Sequence, residues 1–172
     1  FSVLRHNEMS LWRVSLGLLY VLEKKMEIQK LLDLYSSSPH IEAMLKAIGD
    51  SEVRTISLRG LNGSSVPMAF ASANGRLPRT CLFVLNDADE AGYFYHDLTQ
   101  LLGNSHVLFF PSAYRRQVKY CQKDAANEIL RTEVLSRVKE QGASSCGSNS
   151  TLYVVTCPEA MAELVVTNKH LD

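Results

Sequence analysis

Three apolar runs, each followed by a stretch with helical periodicity, constrain this chain more than any other feature. They are residues 80–85 (TCLFVL), 106–110 (HVLFF) and 151–156 (TLYVVT). A strand with one wet face alternates apolar and polar residues. A run apolar at nearly every position is expected of a strand covered on both faces in a parallel sheet. Asn86-Asp87 ends the first run, and Glu90 follows Asp87 by three residues, a capping-box-like helix start. Ala91, Phe94, Leu98 and Leu101 then share one helical face, and Gly103-Asn104 stops the helix. Pro111 closes the second run. After a polar stretch, 112–123, a helix is expected over about 124–140 with Ile129, Leu130, Val134 and Val138 as its apolar face. Residues 141–150 (QGASSCGSNS) read as a loop, and Pro158 starts a final helix at a first-turn position that proline tolerates. The alternation predicts an α/β domain of three layers, a mostly parallel sheet flanked by helices.

Two further helices precede this pattern. Ile28, Leu31, Leu32 and Tyr35 share a face, Ser36 to Pro39 break it, and Ile41, Met44, Leu45 and Ile48 form the next, ended by Gly49. Residues 54–58 (RTISL) then read as the first of four strands. They lead into Gly60-Leu61-Asn62-Gly63-Ser64-Ser65 and a helix near 66–73. Strand, Gly-rich turn and helix N-terminus form the arrangement that cradles phosphates. A working loop reads Gly-x-x-x-x-Gly-Lys-Ser/Thr. Laid on Gly60, the second Gly falls on Ser65, the Lys on Val66 and the Ser/Thr on Pro67. Val66 cannot supply the charge on the β/γ-phosphates, and Pro67 holds no magnesium and lacks a backbone donor. The segment predicts a degenerate P-loop NTPase-like domain with no nucleotide, metal or catalytic residue of its own. A backbone anion site at Gly60, Gly63, Ser64 and Ser65 competes with a relic turn kept for its geometry.

The chain has 172 residues, 46% hydrophobic and 21% charged, with a formal net charge of zero. That composition suits one soluble domain and supplies no global attraction to nucleic acid or acidic lipid. Cys81, Cys121, Cys146 and Cys157 are widely spaced, which predicts thiols in a reducing, cytoplasmic setting. Residues 11–22 (LWRVSLGLLYVL) are too short to span a bilayer and are broken by Arg13, so no membrane partner is expected. The natural domain is expected over 26–172, with 1–25 an extension of unknown role.

Other residues weigh less. Tyr114, Arg115, Arg116, Lys119, Tyr120 and Lys123 form the strongest local basic patch. They read as a solvated connector, an interdomain contact, or a DNA contact with phosphate-binding cations and stacking tyrosines. Asp87 and Glu90 read as helix caps, and Asp89 and Asp97 as a solvent face. The run 151–156 ends in Thr156-Cys157-Pro158, without the Asp-Glu pair that motor enzymes place there for magnesium and water. His6, His40, His96, His106 and His170 show no metal spacing. Cys157, before a helix start, also has the position of an activated thiol, though a buried structural one is the simpler reading. No convergent polar set beyond Asn86-Asp87 is expected at the strand ends.

Four stretches carry a family resemblance: LRGLNGSS (58–65), CLFVLNDADEAGYFYHDL (81–98), VLFFPSAYRR (107–116) with DAANEILRTEVLSRV (124–138), and LYVVTCPEAMAEL (152–164). In that order, from Met26 to about Leu171, the chain resembles the amino-terminal domain of bacterial transcription-repair coupling factors. That domain is in turn similar to the first helicase-like domain of the B component of nucleotide excision repair. In the B component the loop is intact and an aromatic hairpin follows the third strand. Val66 and the short 112–123 connection depart from both features and favour the coupling factor. The resemblance implies a fragment of a DNA-repair ATPase that moves on DNA, releases stalled RNA polymerase and recruits the A component of the repair complex. ATP and magnesium would belong to a later motor module, and this part would pack against other domains of its own chain. An active helicase-like nucleotide-binding domain is the alternative, and a standalone ligand-binding α/β protein a third.

Overall fold

A computed structural model describes residues 27–77, 80–114, 124–143 and 151–165. The apolar runs become three parallel strands: β1 (Cys81–Val84), β2 (Val107–Phe110) and β3 (Tyr153–Thr156). The helices are α1 (27–36), α2 (Pro39–Gly49), α3 (Ser65–Ser72), α4 (Ala88–Leu102), α5 (Ala125–Ala143) and α6 (Pro158–Met161). The sheet order is β1-β3-β2, so the last strand inserts between the first two. Tyr153 aligns with both Cys81 and Val107, and Thr156 with both Val84 and Phe110. The chain is thus α/β with a small, open, parallel sheet.

Centrality explains the burial. All four β3 residues are buried. On one face, Phe83 of β1 meets Phe70 of α3 edge-on and Phe94 of α4 at a tilt, both at 4.8 Å between ring centres. Phe83 also lies 6.2 Å from the Tyr153 ring, and Tyr95 of α4 stacks on Phe109 at 5.1 Å. On the opposite face α5 lies against β2, where Arg131 covers the Phe110 ring. Tyr153 is fully buried, and burial pushes its phenol up, so it stays a hydrogen-bond donor. It donates to the Phe70 carbonyl and to Asn74 Oδ1.

Local chemistry sets the helix ends. Ser38 caps α2, accepting from the His40 amide at 3.4 Å, and Pro39 sits in its first turn. Asp87 caps α4, accepting from the Glu90 amide at 2.8 Å. Glu90 reaches back one residue further than in a standard box, accepting from the Asn86 amide and side chain. Asp87→Ala is expected to cost about 1 kcal/mol, read as a lowered urea midpoint at unchanged slope. Gly103 closes α4 at φ +83°, a conformation that glycine reaches without strain.

Several expectations are corrected. Residues 54–58 are not a strand: the whole stretch 51–60 is exposed and belongs to no ladder. Instead, residues 56–61 lie near α2 across a cleft of about 550 Å³. The described sheet therefore has three strands, not four. β1 is not covered on both faces, because it lies at an edge and α5 sits over β2; Leu82 and Val84 are 53% and 52% exposed. Leu31 and, on α5, Ile129 and Val138 are exposed rather than core-facing. The face α5 buries runs through Arg131 and Val134, one residue off the purely apolar spacing. Leu101 is half-buried, whereas Ala91, Phe94 and Leu98 are buried as expected.

Candidate functional site

The degenerate loop is folded back on itself. Gly60 and Gly63 take φ of +86° and +53°, left-handed values that a side chain would strain. The Ser65 hydroxyl accepts from the Asn62 amide at 2.7 Å and donates to the Asn62 carbonyl at 2.8 Å. The Ser65 amide also donates to that carbonyl. Two N–H groups that a phosphate cradle would aim at its anion are thus engaged within the turn. Ser64, the N-cap of α3, makes no side-chain capping bond. Its hydroxyl donates instead to Asp97 Oδ2 of α4 at 2.6 Å. That contact holds a carboxylate beside the N-terminus of α3, where a phosphate would otherwise gain from the helix dipole. Val66 is half-buried and Pro67 buried, so both serve packing. The sequence placed Asp97 on a solvent face, and nothing in its local spacing pairs it with Ser64, 33 residues away.

A second polar constellation lies outside the C-terminal ends of β2 and β3, where none was expected. Its centre is Arg131 of α5, only 6% exposed. Arg131 Nη1 donates to the Pro111 and Ala160 carbonyls at 2.8 and 3.1 Å and pairs with Glu163 Oε2 at 3.2 Å. The guanidinium carbon sits 4.2 Å from the Phe110 ring centre, a cation–π contact. Glu163 also accepts from the Ser112 hydroxyl and from the Ala113 amide. Asn127 donates to the Ser112 carbonyl at 2.8 Å. Three segments distant in sequence are therefore tied at one point: the exit of β2, the middle of α5 and the end of α6. Arg131 Nη2 is buried and has no acceptor among the described residues. Above this network opens a cleft of about 360 Å³, whose lining includes Tyr114, Glu128, Thr132, Leu135, Leu164 and Val165.

Of the basic patch, Tyr114 is half exposed and its amide donates to Ser112 Oγ; Arg115, Arg116, Lys119, Tyr120 and Lys123 lie outside the described residues. Cys121 and Cys146 lie outside them too, as do His6, His170 and residues 11–22. Cys157 is buried, and Cys81 is half-buried with its thiol pushed up by burial. Among the described residues no group of three or more His, Cys, Asp or Glu is placed to hold a metal ion, and no helix is long and apolar enough to cross a membrane. Comparison with protein-family models, with curated proteins and with solved structures finds no match to the chain.

Proposed function

We propose that this chain is a non-catalytic, P-loop-derived module from the amino terminus of a transcription-repair coupling factor, a cytoplasmic ATP-dependent DNA translocase. One observation carries the reading. The turn at 60–67 holds Gly60 and Gly63 at positive φ but puts Ser65, Val66 and Pro67 where the second glycine, the lysine and a magnesium-binding hydroxyl belong, and its Ser64 is bonded to Asp97. A nucleotide triphosphate brought there would meet a carboxylate and no lysine. In this reading the sheet and helices form a three-layer scaffold that packs against neighbouring domains, while ATP and magnesium act in a later motor module. RNA polymerase, DNA and the A component of excision repair are partners of the whole protein, not of this loop. The four sequence stretches that resemble coupling factors support the assignment.

The experiment is to read the gene's frame beyond Asp172. An intact Gly-x-x-x-x-Gly-Lys-Thr loop followed by an Asp-Glu motor pair is expected. A stop codon close behind, or a continuation with no motor, refutes the assignment.

A further inference from the structure

We propose that the outer edge of β1 pairs, antiparallel, with β1 of a second copy of this chain, joining the two sheets into one. The inference does not depend on the coupling-factor reading. The sheet has two edges, and they differ. On β2, Val107, Leu108 and Phe110 are 1%, 5% and 7% exposed, whereas on β1 Leu82 and Val84 are half exposed. The β1 backbone is open on that side as well. The Cys81 and Leu85 amides donate to the Leu152 and Thr156 carbonyls, on the β3 side, at 2.8 and 2.9 Å. Residues bonded to one neighbour alternate along a strand, so Leu82 and Val84 turn their N–H and C=O groups away from β3. β1 is last in the strand order, and among the described residues no backbone bond reaches those groups. Edge strands are usually guarded by a charged side chain, a proline or a bulge. Cys-Leu-Phe-Val has neither charge nor proline, and its register with β3 runs unbroken from Cys81 to Val84.

The edge selects its occupant. Donors and acceptors that alternate along an extended backbone are matched by another extended backbone. β1 has no charged side chain with which to choose a foreign sequence, whereas its own copy fits it residue for residue. A two-fold axis at Phe83 sets Leu82 opposite Val84 of the second copy, and Val84 opposite its Leu82. These residues hold the outward N–H and C=O groups, so each such pair exchanges both backbone bonds. Phe83 falls opposite Phe83 in the close, non-hydrogen-bonded position, with Cα atoms about 4.5 Å apart, where an aromatic pair adds to the ladder. Leu82 and Val84 then flank one another on the face that α5, which lies against β2, leaves bare. The formal net charge is zero, so no long-range repulsion opposes the meeting of two copies.

The test is sedimentation equilibrium of the whole chain over roughly 1 µM to 1 mM, with amide hydrogen exchange read by NMR on the same samples. A reversible rise from monomer to dimer is expected. The Leu82 and Val84 amides should gain protection with it, while Cys81 and Leu85, already bonded on the β3 side, should change little. Leu82→Lys alters a half-exposed position and places a guard charge on the edge, so it is expected to weaken the dimer by roughly tenfold or more. Val84→Glu should do the same. Mixing the two variants should restore dimerisation, because lysine then stands opposite glutamate across the axis. The proposal is overturned if the chain stays monomeric throughout, if Leu82→Lys leaves the dimer unweakened, or if the mixture associates no better than either variant. It is also overturned if both amides are already protected at the lowest concentration, since another part of the chain then holds the edge. The amide readout comes from the unaltered protein, so it holds even if a variant fails to fold.

Discussion

Replacing Arg131 with alanine is expected to lower folding stability by about 3–5 kcal/mol, the cost of removing one partner from a buried ion pair. The side chain ends at a junction of the β2 exit, α6 and Glu163. Without it, the Pro111 and Ala160 carbonyls lose their donor, the Phe110 ring loses its cation, and Glu163 keeps a largely buried charge with no cation. The Ser112 and Ala113 donors still reach Glu163, which places the expected cost at the lower half of that range. A double-mutant cycle separates the pair from the hub. Arg131→Met with Glu163→Leu should cost clearly less than the two single changes added together, because no uncompensated charge remains. Additive losses in urea titrations would show that the two side chains act independently, contrary to the geometry.

Phe83→Ala is expected to be nearly as damaging, at about 3 kcal/mol. One ring fills the space among Phe70, Phe94 and Tyr153, so its removal opens a void shared by α3, α4 and the central strand. The partial exposure of Phe83 at the sheet edge keeps the loss below that of a central core ring. Phe83→Leu retains most of the volume and should cost about 1 kcal/mol. If alanine and leucine proved equally mild in urea, the cluster would not be a continuous packed unit.

What the sequence disclosed follows from how local each signal is. The three apolar runs were legible because each is longer than a chance cluster and is bounded by Asn-Asp, Pro or Cys-Pro. The α4 cap was legible because Asp87 and Glu90 are neighbours on the chain. The 54–58 segment misled because Ile56 and Leu58 look like a strand, yet a strand exists only where a partner edge is present, and that is a non-local fact. The exposure of Leu82 and Val84 was hidden for the same reason: an apolar run does not say whether its strand ends up at an edge. Arg131 was not singled out on α5. Its burial depends on Glu163, 32 positions later, and on Pro111, 20 positions earlier, and no helical periodicity links those three. The degenerate loop was legible as a missing lysine, but its closure by Ser65 and its neighbour Asp97 required the fold.

The central claim is that the turn at 60–67 no longer handles nucleotide. The most direct measurement is a titration of the purified chain with fluorescent ATP and magnesium, followed by anisotropy. The account predicts no saturation up to roughly 1 mM, because the loop offers no lysine, no hydroxyl at Pro67 and a carboxylate at Ser64. Saturable binding with a micromolar Kd that excess unlabelled ATP competes away would contradict it.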